Sequence, residues 1–271
     1  MIYIGENKKG YSMFEKCLLT IDSSVFFGRG IFETILVLNN GVFLKEHLER
    51  LKDGCLNLNI PFNVNEDELI EFIKNEKIKN KALKITLTEK NIIYSTRDIP
   101  YGIEDYNRGF SIKLSKVRRN STSKLTYLKS TCYIENIMEK EKAKDEGFDE
   151  VIFLNERGEL TEGATSNIYF IKNNKICTPK VSCGLLDGII RGWIKNNFQL
   201  LDGIIRGWIK NNFQVKEGCY NIEDLRNSEG IFISNSLLGI MRVSQFEEEF
   251  FGEKDLIEEI KSKYESSIIS F

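Results

Sequence analysis

The chain has 271 residues, enough to bury a sizeable core as one large domain or two small ones. Its 38 basic and 40 acidic side chains nearly cancel, which argues against the strongly positive field that nucleic-acid binding requires. No apolar run approaches the roughly 20 residues of a membrane span, and MIYIGENKKGYSMFEK lacks the apolar core of a signal peptide, so a cytoplasmic location is expected.

The first hundred residues alternate strands and helices. Residues 24–38 and 41–44 read as strands around an Asn39-Asn40-Gly41 turn. Segments 45–57 and 66–75 are amphipathic and read as helices, with Leu48, Leu51 and Cys55 along one face of the first. Residues 82–89 (ALKITLTE) alternate like a strand with one wet face, and 110–115 read as another. The polar, basic passage 115–124 (SKVRRNSTSK) offers little to bury and reads as a linker. It would separate a smaller domain, 1–114, from a larger one, 125–271. Beyond it, 130–146 reads as a helix burying Ile134, Ile137, Met138 and Ala143, and strands at 150–154 and 166–171 flank a turn at 155–158. Neither half shows a regular βαβ repeat, so the fold class expected is two α+β domains.

Six cysteines, Cys17, Cys55, Cys132, Cys177, Cys183 and Cys219, show no CxxC spacing. With His47 as the one imidazole in the chain, buried reduced thiols are expected rather than a zinc site or a disulfide framework.

Chemistry concentrates between Thr126 and Phe170. A lysine held in a pocket loses hydration, its pKa falls, and it can form a Schiff base with an aldehyde. Lys129, read as standing before the helix, is the candidate. Glu162, beside small residues on the way into a strand, is a carboxylate suited to holding a protonated ring nitrogen. Pyridoxal phosphate needs both partners, because its pyridinium acts as an electron sink only while the nitrogen keeps its proton.

Six motifs stand in a fixed order: Gly28-Arg29-Gly30-Ile31-Phe32-Glu33-Thr34, Glu46-His47-Leu48-Glu49-Arg50-Leu51, Lys129, Leu160-Thr161-Glu162-Gly163, Gly188-Ile189-Ile190-Arg191 and Ser234-Asn235-Ser236. On these the chain resembles the fold-type IV pyridoxal-phosphate enzymes, the class IV aminotransferase group, over nearly its whole length. The resemblance implies a D-amino acid aminotransferase-like fold with the cofactor in the interdomain cleft, a homodimer, and a small-molecule substrate with no nucleic-acid, membrane or metal partner. It makes Lys129 the catalytic residue and assigns cofactor contacts to Arg50, Lys129, Tyr133, Glu162, Ile189, Ile190 and Ser236.

Several of these residues admit a second reading. Arg50 offers either a planar fork of donors to phosphate or a surface ion pair with Glu46 or Glu49. Gly188 marks a helix start whose free amides can bind an anion, though Asp187 would compete as an N-cap. Tyr133 would either bond the cofactor's phenolic oxygen or pack in the core. Arg97, in STRDIPY, would either meet a substrate carboxylate or sit in a surface loop. Three positions depart from the family pattern: Cys132 replaces a usual Asn, Arg29 the Asp between the paired glycines, and Arg242 the Pro before Val243. The two arginines would alter the substrate pocket.

LLDGIIRGWIKNNFQ occurs at 185–199 and again, identically, at 200–214. Two copies of one helix do not make a solenoid, so this reads as a tandem duplication. Fifteen helical residues advance about 22 Å and leave the face roughly 60° out of register. One copy must then leave the fold or find a new surface. The turn-rich approach to Gly188 assigns the phosphate site to the first copy and makes the second the insertion.

Within the family, the compact length and KSTCY resemble aminodeoxychorismate lyase, which makes 4-aminobenzoate and pyruvate for folate synthesis. A branched-chain or D-amino acid transaminase is the alternative, and a non-catalytic binding relative the alternative of another class.

Overall fold

A computed structural model of the chain describes residues 2–6, 12–13, 19–198 and 215–271. The second copy of the repeat, 200–214, and Cys17 lie outside the described residues. The chain divides into two units, one comprising Met1–Pro100, Leu128–Glu135 and Ile268–Phe271, the other Tyr101–Tyr127 and Asn136–Ser267. Among the described residues no helix is long and apolar enough to cross a membrane.

The smaller unit contains β1 (Ile2–Glu6), β2 (Ser12–Met13), α1 (Ser23–Phe27), β3 (Gly30–Val37), α2 (Leu44–Leu58), α3 (Glu66–Asn75), β4 (Lys81–Thr88) and β5 (Asn91–Arg97). Its strands form an antiparallel sheet in the order β2-β1-β5-β4-β3. Alternation decides which face is dry. Ile31, Ile35 and Val37 of β3, Leu83, Ile85 and Leu87 of β4, and Ile92 and Tyr94 of β5 join Leu48, Leu51 and Cys55 of α2 and Leu69 and Ile73 of α3 in one core. Burying a side chain such as Leu51, Ile35 or Leu83 contributes about 2 kcal/mol. Helix α3 starts where Asn65 Oδ1 accepts the amides of Asp67 (2.9 Å) and Glu68 (3.1 Å), and it matches the expected span.

Two local expectations change. Residues 24–27 form helix, not strand, because Asp22 caps the turn at its start and Gly28, at φ 65°, closes it. The expected hairpin is reduced to a single bridge between Val37 and Gly41. Phe43 then takes a left-handed φ of 53° and α2 begins at once.

The larger unit contains α4 (Ile103–Arg108), β6 (Phe110–Arg119), most of α5 (Ile134–Asp145), β7 (Glu150–Asn155), β8 (Leu160–Gly163), β9 (Asn167–Lys172), β10 (Lys175–Pro179), α6 (Ile189–Phe198), β11 (Val215–Gly218), α7 (Ile222–Arg226), β12 (Gly230–Asn235), β13 (Gly239–Phe246), β14 (Glu249–Phe250) and most of α8 (Asp255–Ile268). The mixed sheet runs β11-β10-β9-β12-β13-β6-β7-β8, with β14 on β13. Parallel neighbours are β10 with β11, β13 with β6, and β6 with β7. This mixture of long-range pairings bears out the α+β class.

The linker expected at 115–124 is instead half strand. Residues through Arg119 continue β6, pairing Arg118 with Leu154 and Arg119 with Asn155 of β7. The guanidinium of Arg119 lies 3.9 Å from the centroid of Phe153, so its aliphatic stem and planar head are packed rather than solvated. The division between units accordingly falls after Pro100, not at 114, and 128–135 belongs with the smaller unit.

Helix α5 also differs from its expected form. It starts at Ile134 rather than 130, and it buries Asn136 and Ala143 while Ile134, Ile137 and Met138 are 69%, 39% and 60% exposed. Asn136 Nδ2 donates to the carbonyl of Ala164 (2.7 Å), and that inward bond sets the helix's rotation. Thiol burial holds for Cys55, Cys177 and Cys183; Cys132 and Cys219 are exposed.

Candidate functional site

In the smaller unit the segment carrying Lys129 is an extended strip laid against the start of β3. The Phe32 amide donates to the Lys129 carbonyl and the Thr131 amide to the Gly30 carbonyl, both at 2.9 Å, around an antiparallel bridge between Ile31 and Ser130. Thr131 Oγ1 donates to the Gly28 carbonyl at 2.6 Å. A Cβ on Gly30 would stand 2.9 Å from Thr131 Oγ1 and 3.2 Å from the Leu87 carbonyl oxygen, so glycine there allows the strip to approach. Lys129 is therefore held by β3, not by a helix start. Its Nζ lies 4.8 Å from the centroid of Phe32 and 5.6 Å from that of Tyr133, and the two rings meet edge to face at 5.4 Å. Tyr133 likewise precedes α5 rather than packing on it.

Beneath this strip is a buried polar cluster that sequence reasoning missed. Glu33 Oε1 accepts from Arg50 Nε (2.6 Å), and Oε2 accepts from Arg50 Nη2 (2.9 Å) and pairs with His47 Nδ1 (2.7 Å). Burial opposes ionisation of Glu33, but the Arg50 charge and the hydrogen bonds from His47 and Arg50 prevail and hold its carboxyl far below the usual carboxylate range. Burial pushes the His47 pKa below its usual value, against the pull of Glu33 and with the help of the positive Arg50 and Lys129. An ionised carboxylate only accepts, so neutral His47 carries its proton on Nδ1. Arg50 is thus paired with Glu33 and not with Glu46 or Glu49. A signal did exist: Glu33 alternates in phase with Ile31 and Ile35, and a carboxylate on a dry face requires a cation.

On the opposite face of the same sheet, Lys84 is paired across from Thr34 and Ser95, and Arg97 from Ala82. Lys84 Nζ lies 4.2 Å from the Phe32 centroid. Desolvation at the ammonium and the positive charge of Arg97 both lower the Lys84 pKa. Neither cation has a carboxylate partner among the described residues. Arg97 is exposed at the end of β5, and Lys84 was not anticipated from the sequence.

The arginines that depart from the family pattern turn elsewhere. Arg29 Nε and Nη2 donate to the Leu58 carbonyl (2.9 and 2.7 Å) and Nη2 to that of Asn59 (3.0 Å), capping the negative end of α2. Arg242 Nη2 donates to the carbonyls of Asn107 (3.0 Å) and Arg108 (3.2 Å) at the end of α4. Both are helix caps rather than pocket residues.

In the larger unit Glu162 is buried on β8 with Oε2 accepting the Leu186 amide at 3.0 Å. Asn167 Nδ2 donates to the Leu186 carbonyl at 2.9 Å, so both backbone polar groups of Leu186 are held just ahead of α6. A Cβ on Gly188 would lie 2.0 Å from Asn167 Oδ1; only glycine fits. Helix α6 buries Ile190, Ile194 and Phe198. The amides of Ile189 and Ile190 occupy its first turn, where no partner exists within the helix. Asp187, the expected N-cap competitor, is ion-paired with Arg191 (2.5 Å); the fully buried Arg191 also bonds Glu217 and the Pro179 carbonyl (3.0 Å). Ser236 is half-buried in the turn between β12 and β13. Asn235 Oδ1 takes the amides of Leu237 (2.9 Å) and Leu238 (2.7 Å), and the Ser236 hydroxyl has no protein hydrogen-bond partner among the described residues.

Residues 30–246 match the amino-transferase class IV family. The chain is 29% identical to the aminodeoxychorismate lyase of Bacillus subtilis strain 168 over 273 residues, covering 93% of this chain and 88% of that protein. It is 28% identical to a D-alanine aminotransferase of Staphylococcus epidermidis, covering 84% and 83%. The PLP-bound form of a hypothetical aminotransferase from Mycobacterium tuberculosis superposes with a TM-score of 0.83 at 17% identity, covering 99% of each chain, which bears on the fold alone. With the family match spanning most of the chain, the protein belongs to the class IV aminotransferases, a family of pyridoxal-phosphate enzymes that includes both lyases and transaminases.

Proposed function

We propose that this chain is a pyridoxal-phosphate-dependent lyase, active as a homodimer, that converts 4-amino-4-deoxychorismate to 4-aminobenzoate and pyruvate for folate synthesis. The observation that carries this reading is the likeness to aminodeoxychorismate lyase along 93% of the chain. The donor chemistry fits the cofactor: an amine held over two aromatic rings, a buried carboxylate fixed by a backbone amide, and, for a phosphate, helix amides, the Ser236 hydroxyl, which has no protein partner among the described residues, and the Arg50 guanidinium. The exposed Ile134, Ile137 and Met138, on one face of α5, suit burial against a second copy.

Pyridoxal phosphate, when bound, supplies an electron sink conjugated to the substrate amine. Lys129 would bind its aldehyde carbon, and the Tyr133 hydroxyl would donate to its phenolic oxygen. Glu162 holds the proton on the ring nitrogen. Arg50, the amides of Ile189 and Ile190, and Ser236 bind its phosphate. With the cofactor in place, the Lys129 amine would take the proton from the substrate's amine-bearing ring carbon and later return one to the pyruvate carbon. The substrate carries two carboxylates, and Arg97 with Lys84 offers two cations on one sheet face to receive them.

The 84% coverage by D-alanine aminotransferase supports a second reading, transamination, in which Lys129 would hold and move the same substrate proton. Supplying aminodeoxychorismate and, separately, D- or branched-chain amino acids with 2-oxoglutarate decides between them. Fluorescent 4-aminobenzoate is expected in the first assay. Turnover in the second alone would replace the lyase reading by the transaminase one.

A further inference from the structure

Cys183 and Cys219 belong to none of the family motifs and stand 36 residues apart in the chain, but their sulfurs are 3.8 Å apart. Cys183 ends the short 3-10 turn Val181–Cys183, immediately before the Gly184 approach to α6. Cys219 follows β11, whose Gly218 carbonyl accepts the Lys180 amide at 3.0 Å and pins the two chain segments together. The pair therefore brackets the stretch that contains α6 and both copies of the repeat.

The two thiols differ in the way a redox pair requires. Cys219 is exposed and lies within reach of both the Lys180 ammonium, whose pKa it raises, and the Glu159 carboxylate. Cys183 is buried, and burial, with Cys219 and Glu159 as neighbours, pushes its thiol up to about 12. One sulfur is open to an outside oxidant; the other is silent until its neighbour is oxidised. Glu159 lies within 4.8 Å of both sulfurs, yet its carboxylate is ion-paired with Arg157 (2.7 Å) and accepts from Asn155 (2.7 Å). That engagement disfavours Glu159 as a third metal ligand.

We propose that Cys219 and Cys183 form a reversible disulfide on exposure to a peroxide, tying the lead-in of α6 to the end of β11. The Cys219 thiolate attacks one peroxide oxygen, the O–O bond breaks, and the departing hydroxide is protonated to water, leaving a sulfenic acid on Cys219. The Cys183 sulfur then attacks that sulfur, and the hydroxyl departs with the Cys183 proton as a second water. Each sulfur loses one electron, and the two peroxide oxygens gain the pair. A thiol reductant reverses the bond.

The test treats the purified full-length chain with hydrogen peroxide, alkylates the remaining thiols and maps peptides without reduction. A linked peptide pair containing Cys183 and Cys219 is expected, lost on adding dithiothreitol, while Cys55 and Cys177 remain thiols. In Cys183→Ser, Cys219 is expected to accumulate as a sulfenic acid trapped by dimedone; in Cys219→Ser, Cys183 should stay reduced. Oxidation of Cys219 beyond the sulfenic state in the wild type, with Cys183 still a thiol, would overturn the proposal. So would a divalent metal ion found by native mass spectrometry to shield both thiols, which would make the cluster a metal site.

Discussion

The Phe32 amide donates to the Lys129 carbonyl at 2.9 Å, and the Lys129 ammonium lies 4.8 Å from the centroid of that same Phe32 ring. One residue of β3 thus fixes both the backbone and the side chain of the candidate nucleophile.

Lys129→Ala is expected to abolish the borohydride-reducible adduct and nearly all turnover. Peptide mapping of the reduced protein checks it, and an adduct on Lys124 would refute the assignment. Gly30→Ala should act on the same group indirectly. Its new Cβ meets Thr131 and the Leu87 carbonyl, costs about 1–3 kcal/mol of stability, and slows adduct formation by displacing the strip.

Glu162→Gln separates charge from structure. The amide oxygen can still accept from Leu186, so the approach to α6 survives, but no charge remains to keep a ring nitrogen protonated. Turnover should fall on the order of 100-fold with cofactor affinity changed far less. Unaltered turnover would remove Glu162 from the mechanism.

The two repeat copies can be told apart by point substitution, whereas deleting either leaves the same protein. Gly188→Ala places a Cβ on Asn167 Oδ1 and should lower cofactor affinity at least about tenfold, a loss of roughly 1.4 kcal/mol. Gly203→Ala, in the second copy, should leave affinity intact. Absorbance titration of the apo-protein gives the ranking, and the reverse order would move the phosphate site to the second copy.

Asp22 makes stability depend on acid. Burial disfavours its charge, but bonds from Ser24, Thr88 and the Lys90 amide outweigh this and hold its pKa at about 2. A carboxyl depressed on folding stabilises above its unfolded pKa, near 4, and loses that contribution as pH falls through about 2. Asp22→Asn should therefore cost about 1–3 kcal/mol at neutral pH and progressively less towards pH 2, measured by denaturant unfolding across that range. A difference that does not vary with pH would contradict it.

The sequence alone determined the family, the α+β class, helix α3, the strand at β4 and the Leu48, Leu51 and Cys55 face of α2, because these depend on local periodicity and on motif order. It also offered Lys129, Glu162 and the Gly188 helix start as candidates, because the proposed chemistry demands those residue types. Tertiary structure decided what periodicity cannot express. The basic run at 115–119 became strand because β7 pairs with it and Phe153 receives Arg119. Ile134, Ile137 and Met138 stayed outside because Asn136 bonds inward to Ala164. Glu33, His47 and Arg50 met because β3 lies under α2, and Cys183 met Cys219 because β10 pairs with β11. Such contacts join residues far apart in the chain, and their partners are chosen by packing after the local elements have formed.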